Sequence, residues 1–227
     1  MMFKVPIHFR RMVDRRLWWG ILNEGSQKLN ILNSGFSVVA AAATVLLTPD
    51  ANRVVASQVY GYARRFAKIG IAVALVDSLH EGLSSPSLLS ASIALKAVAV
   101  NDEICRSISE NDGIDADLQC IDDSGEQGNK TVARACCSLL SKLAGSDMNK
   151  SAIVEKGGMD GLIKVSARFS DDPSVLQEVV YYMRSFLEIP RQYAAHAIEA
   201  GAGDLAIQAM QKFPGAHQMQ RNSCLMI

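Results

Sequence analysis

Aromatic residues make up 6% of these 227 amino acids, and neither sign of charge is in excess: 23 lysines and arginines stand against 23 aspartates and glutamates. Proteins that grip nucleic acid neutralise several phosphates at once and stack bases on rings, so both shortages count against that class. The five cysteines (Cys105, Cys120, Cys136, Cys137 and Cys224) form no CxxC pair. With no secretory signal expected ahead of them, a disulfide framework and a zinc site are both disfavoured, and a reducing compartment is expected. That compartment is the cytoplasm, with the nucleus beside it. The longest apolar run, residues 36–47 (FSVVAAAATVLL), falls well short of the roughly 18 residues a membrane-spanning helix needs, so it reads as a core helix. His8, His80, His196 and His217 make no HExxH and no i,i+4 pair. Zinc hydrolysis therefore has no residues to rest on, and no Ser/His/Asp arrangement stands out. No enzyme activity, cofactor, metal, membrane or small-molecule substrate is expected.

What the chain does have is repetition. The stretch 150–169, KSAIVEKGGMDGLIKVSARF, recurs as 192–213, QYAAHAIEAGAGDLAIQAMQKF, with the glycine after the first helix at Gly157 and again at Gly201, 44 residues on. Earlier echoes place turn glycines at Gly113 and Gly70. A period of 43 to 45 residues exceeds that of the two-helix repeats built on about 34 and matches HEAT and armadillo arrays. Gly157-Gly158 and Gly201-Ala202-Gly203 follow helices rather than strands, so they read as turns and not as a dinucleotide fingerprint.

Taken in order, residues 1–33 have no match to the repeat, and 34–227 form the array, in units of 34–48 (partial), 50–100, 101–145, 147–189 and 190–227 (cut short). A basic opening with Arg10, Arg11, Arg15 and Arg16 suits a solvated lead-in, with a mitochondrial transit peptide as the alternative. Within the array, helices are predicted over 35–48, 51–68 and 71–80. A longer one opens at Ser85-Pro86, with the serine as cap and the proline at the first helical position. Its stripes are Leu88, Ala91, Leu95, Val98 and Leu89, Ile93, Ala97, Val100, so burial from two sides is expected. Helices over 102–109 and 115–121 follow, then a loop at 122–128 (DDSGEQG), and a long helix from Asn129 to residue 144. The next unit runs 148–156, 159–169 and then Asp172-Pro173 to residue 188. The last has 191–200, 203–212 and a helix after Pro214-Gly215 that ends in apolar CLMI. An array normally closes on a polar outer face, so the repeat is expected to continue.

Short helix, glycine turn, helix and capped long helix at this period resemble the armadillo repeat. The phrases SIALKAVAVNDEIC (92–105), SAIVEKGGMDGLI (151–163), AIEAGAGDLAIQAMQKFP (197–214) and QRNSCLMI (220–227) resemble the armadillo repeat-containing protein 6 family, over residues 35–227. The resemblance implies an all-α, right-handed superhelix of three-helix units whose third helices line a concave groove. In importin-alpha-like and beta-catenin-like relatives a Trp and an Asn four residues apart grip an extended peptide there. Laid on this chain, the Trp position falls on Ile93, Ser138 and Tyr182, and the Asn position on Ala97, Lys142 and Phe186. None is Trp or Asn, so the backbone-clamping pair is missing.

The expected function is a non-enzymatic protein-interaction scaffold with a protein or peptide partner. Its expected groove is Ile93, Ala97, Arg134, Ser138, Lys142, Glu178, Tyr182 and Phe186, the two cations favouring acidic groups and the two aromatics serving as apolar anchors. A helical-repeat RNA binder is the alternative, weakened because only Tyr182 and Phe186 are aromatic there. From Glu110 to Glu126 seven acidic residues occur with no basic one; they read as a solvated, acid-rich stretch. His196 reads as packed or half-exposed, and Cys136-Cys137 as inert core thiols.

Overall fold

The computed structural model describes residues 71–99, 102–187 and 191–227. The helices predicted over 35–48 and 51–68, the turn at Gly70, the bond Ile189-Pro190 and the lead-in 1–33 lie outside these residues. Where the chain is described, a left-handed residue marks the turn between first and second helices: Asp112 (φ 58°), Gly157 (72°) and Gly201 (100°). Glycine enters that conformation at no steric cost, and aspartate is among the few side chains that tolerate it. The next position opens the second helix, and there the constraint is space. A Cβ on Gly113 would lie 2.6 Å from Ile108 Cγ2, and one on Gly158 would lie 2.5 Å from Ile153 Cγ2. In the last unit Ala202 takes this place and Ala197 that of the isoleucine, so size is exchanged across the contact. Gly158→Ala is therefore expected to lower stability by about 1–3 kcal/mol through overpacking. Combined with Ile153→Ala it should cost less than the two changes summed. A double-mutant cycle in urea measures this, and strict additivity would refute the exchange.

Eleven α-helices and one 3₁₀ turn follow among the described residues: α1 (Ile71–His80), the turn Gly82–Ser84, α2 (Leu88–Val98), α3 (Asp102–Glu110), α4 (Gly113–Glu126), α5 (Lys130–Leu143), α6 (Asp147–Glu155), α7 (Gly158–Arg168), α8 (Pro173–Leu187), α9 (Arg191–Glu199), α10 (Ala202–Lys212) and α11 (His217–Cys224). No strand occurs among them. Equivalent helices stack on one another: α1 on α4, α4 on α7 and α7 on α10; α2 on α5, α5 on α8 and α8 on α11. Side chains tie each unit to the next. Asn149 Nδ2 donates to the Cys105 carbonyl (3.4 Å), Cys120 Sγ to the Leu79 carbonyl (3.5 Å) and Lys156 Nζ to Asp115 Oδ1 (2.6 Å). Bonds that repeatedly span one period are what a quasi-one-dimensional stack requires. The fold is an α-solenoid.

The caps explain which predicted ends hold. Asn129 accepts from the Val132 amide (3.3 Å) and opens α5, and Asp172 accepts from the Ser174 amide (2.9 Å) and opens α8. Both satisfy amide donors that a first turn leaves unpaired. Ser85-Pro86 does not open α2, which starts at Leu88; the Ser85 hydroxyl instead meets that of Ser87 (2.8 Å) in the preceding turn. The stretch 122–128 is not a loop through its length, because α4 runs on to Glu126. Arg168 causes this from the neighbouring unit: its Nε donates to the Gly125 carbonyl (2.7 Å) and its Nη2 to that of Glu126 (3.0 Å). A guanidinium on the last carbonyls also offsets the helix dipole and the acidic tail. Arg168→Ala should destabilise the last turn of α4 by about 1 kcal/mol. Hydrogen exchange at Gln127, Gly128 and Asn129 would then rise several-fold, and unchanged exchange would remove Arg168 as the reason for the extension.

Candidate partner-binding face

The stacked third helices α2, α5, α8 and α11 are buried along one side and open along the other. On α2 the open stripe holds Ile93, 45% exposed, with Lys96 exposed and Ala97 half-buried. On α5 it holds Arg134 and Lys142, both exposed, and Ser138, buried and accepting a hydrogen bond from Lys96 Nζ. On α8 it holds Glu178, half-buried, and Tyr181, 47% exposed. Arg184 lies beside Tyr181, its guanidinium 5.7 Å from the ring centre, while its Nη1 donates to Asn222 Oδ1 (2.8 Å). Arg221 is exposed on α11.

Six of the expected groove residues are thus on or at the edge of this stripe: Ile93, Ala97, Arg134, Ser138, Lys142 and Glu178. Tyr182 and Phe186 are not. Both are 0% exposed and lie in the core, their rings 4.8 Å apart and Phe186 edge-on to Tyr193 at 6.2 Å. They cannot serve as anchors for a partner. The open face of α8 is shifted by one residue, so Tyr181 follows Ser138 at 43 residues rather than Tyr182 at 44. A signal for this was present in the sequence. Val175, Val179, Tyr182 and Phe186 form an apolar row at helical spacing, whereas Tyr181 lies between Gln177 and Arg184. Lys96, Tyr181, Arg184 and Arg221 are the face residues that sequence reasoning missed.

Charge is segregated between layers. The third helices carry Lys96, Lys130, Arg134, Lys142, Arg184 and Arg221 with Glu178 as their one carboxylate, while α4 carries Asp115, Asp117, Asp122, Asp123 and Glu126 with no cation. The neutral total conceals a basic face. Lys130 pairs with Asp172 (3.3 Å). The side chains of Arg134, Lys142 and Arg221 make no hydrogen bond or ion pair among the described residues.

The acid-rich stretch 110–126 is not wholly solvated. Asp117 is fully buried and neither carboxyl oxygen has a hydrogen-bond partner. Burial, only partly offset by the neighbouring Cys136 thiol, pushes its carboxyl well above the ordinary range. Cys137 and the Tyr182 hydroxyl share this interior, and burial pushes both well up; the Cys120 thiol and burial do the same to Cys136. These thiols are core groups rather than nucleophiles. His196 is exposed, 3.9 Å from Glu199. Clefts of about 680 Å³ between α7 and α10 and about 740 Å³ between α4 and α7 lie on the second-helix side, away from the basic stripe. Among the described residues, no helix is long and apolar enough to cross a membrane.

No family model matches the chain, and no curated protein is similar to it in sequence. Solved structures share its fold. A designed armadillo repeat protein is 18% identical with a TM-score of 0.64, covering 95% of this chain and 97% of its own. Computationally designed armadillo repeat proteins for modular peptide recognition give 18% and 0.62, again covering 95% and 97%. A designed armadillo repeat protein in complex with the peptide (KR)4 gives 18% and 0.58, covering 98% and 94%. These likenesses show an armadillo-type α-solenoid, which is the predicted fold class.

Proposed function

We propose that this armadillo-type solenoid is a non-catalytic scaffold that binds a protein or peptide segment along the groove formed by its third helices. The observation that carries this reading is the open stripe on α2, α5 and α8, where Ile93 and Tyr181 stay exposed among the cations Lys96, Arg134, Lys142 and Arg184. Exposed apolar side chains framed by charge mark interaction surfaces more than solvated ones do. The likeness to armadillo proteins designed for peptide recognition supports the same reading. RNA binding is the second reading, favoured by the basic face but weakened by its single exposed aromatic, Tyr181.

The test is affinity capture from a cytosolic extract with quantitative mass spectrometry, comparing the parent with a Tyr181→Ala/Lys142→Glu variant. Both positions are exposed, so the variant should unfold at the same temperature as the parent. A partner held by the parent and lost by the variant supports the groove. Equal capture by both would move the working surface elsewhere.

A further inference from the structure

We infer that the segment this groove accepts is acidic and extended, with carboxylates spaced to meet one cation per repeat; the inference rests on the groove reading above. The positive charge of the face is a matter of placement, since the whole chain is neutral. Every stacked third helix carries at least one cation: Lys96 on α2, Arg134 and Lys142 on α5, Arg184 on α8 and Arg221 on α11. Neighbouring helices pack about 8–10 Å apart. An extended chain advances about 3.3 Å per residue, so roughly three residues separate cations on neighbouring helices along a bound peptide. Carboxylates at every third position would meet them in register.

Next to that row is a preset apolar contact. Asn222 holds Arg184 beside the Tyr181 ring (2.8 Å and 5.7 Å), so the guanidinium and the aromatic face are oriented before a partner arrives. A peptide with one apolar residue among acids would use both. The peptide (KR)4 bound by a designed neighbour is the wrong sign for a face with Glu178 as its one carboxylate. Single-stranded RNA fits less well than an acidic peptide. It needs a ring for successive bases, and the open stripe offers Tyr181 alone.

Fluorescence anisotropy tests this with labelled (Asp-Glu)6, (Lys-Arg)6, (Ser-Gly)6 and a twelve-nucleotide oligo-U, titrated with the full 227-residue chain. A twelve-residue peptide extends to about 40 Å, enough to cross four stacked helices. The expected result is that (Asp-Glu)6 binds at least about tenfold more tightly than the other three and weakens as salt rises. Arg134→Glu/Lys142→Glu should abolish that preference, whereas Lys164→Glu on α7, exposed on the second-helix layer, should leave it. Circular dichroism melts confirm that each variant is folded. Tightest binding of oligo-U would overturn the inference in favour of RNA. Tightest binding of (Lys-Arg)6 or (Ser-Gly)6 that Tyr181→Ala weakens would overturn the acidic partner while leaving the groove intact. Acidic binding that the double variant retains would overturn the groove itself, and no binding of any probe would overturn the inference.

Discussion

Leu140→Asp is expected to lower stability by more than about 4 kcal/mol and to remove most helical signal at temperatures where the parent is folded. Truncating a fully buried leucine costs about 2–5 kcal/mol through lost transfer energy and the cavity left behind. An unpaired carboxylate in the same place adds the cost of dehydrating a charge. Leu140 is 0% exposed, on a helix that packs against α2, α4 and α8. Stability in a stacked array is a sum of units and nearest-neighbour interfaces. One substitution in α5 therefore damages both interfaces of its unit, and neither neighbour has an alternative surface to bury against. The matched control is Asp123→Lys. Asp123 is half-exposed and accepts from Gln119 Nε2 one turn away (2.8 Å), a bond worth a few tenths of a kcal/mol. A lysine there would face the C-terminal carbonyls of α4, which favours it. Urea unfolding followed by circular dichroism compares the two. Equal tolerance would mean that α5 is not the central layer.

The position of α5 was readable because its signals are local. Asn129 before an apolar row at spacings of three and four is enough to start a helix, and Asp172-Pro173 is enough to start the next. The features that could not be read are set across one period. The tail of α4 looks like a loop in DDSGE, and is helical because Arg168 from the following unit closes its carbonyls. The aromatic pair Tyr181-Tyr182 offers two registers, and neighbouring helices choose the one that buries Tyr182 with Phe186. Carrying the family's groove register onto α8 by a fixed period placed an anchor in the core. The basic face was hidden for a related reason. Only stacking brings Lys96, Arg134, Lys142 and Arg221 to one side and sends the carboxylates of α4 to another, so a count of charges sums them to zero.

Asp117→Asn is expected to stabilise the protein near neutral pH by up to a few kcal/mol, because an amide cannot ionise in the unfolded chain and so avoids the roughly 1.4 kcal/mol per pH unit that the wild-type carboxyl loses there. The wild-type carboxyl is fully buried on α4 with neither oxygen hydrogen-bonded, and its surroundings supply no cation: Cys120 on its own helix, Cys136 and Cys137 on α5, and Tyr182 on α8. Its folded-state pKa lies well above the ordinary value, so the native state keeps a proton that the unfolded chain gives up above about pH 4. Stability associated with this group is fully present below that pH and is lost as pH rises toward the raised pKa, by up to about 1.4 kcal/mol per pH unit. Asp172 acts in the opposite sense: the Ser174 hydroxyl above all, with the backbone amides and Lys130 helping, lowers its carboxyl, so its contribution is lost only as pH falls into the acid range. The two windows do not overlap. Urea midpoints from pH 5 to 8 should therefore fall for the parent and stay nearly level for the Asp117→Asn variant, with the two curves converging on the acid side. Parallel curves would mean that water reaches the Asp117 carboxylate and that the interior between α4, α5 and α8 is open. A parent that weakens with pH would instead show that one unpartnered carboxyl group limits the stability of the layer beneath the basic face.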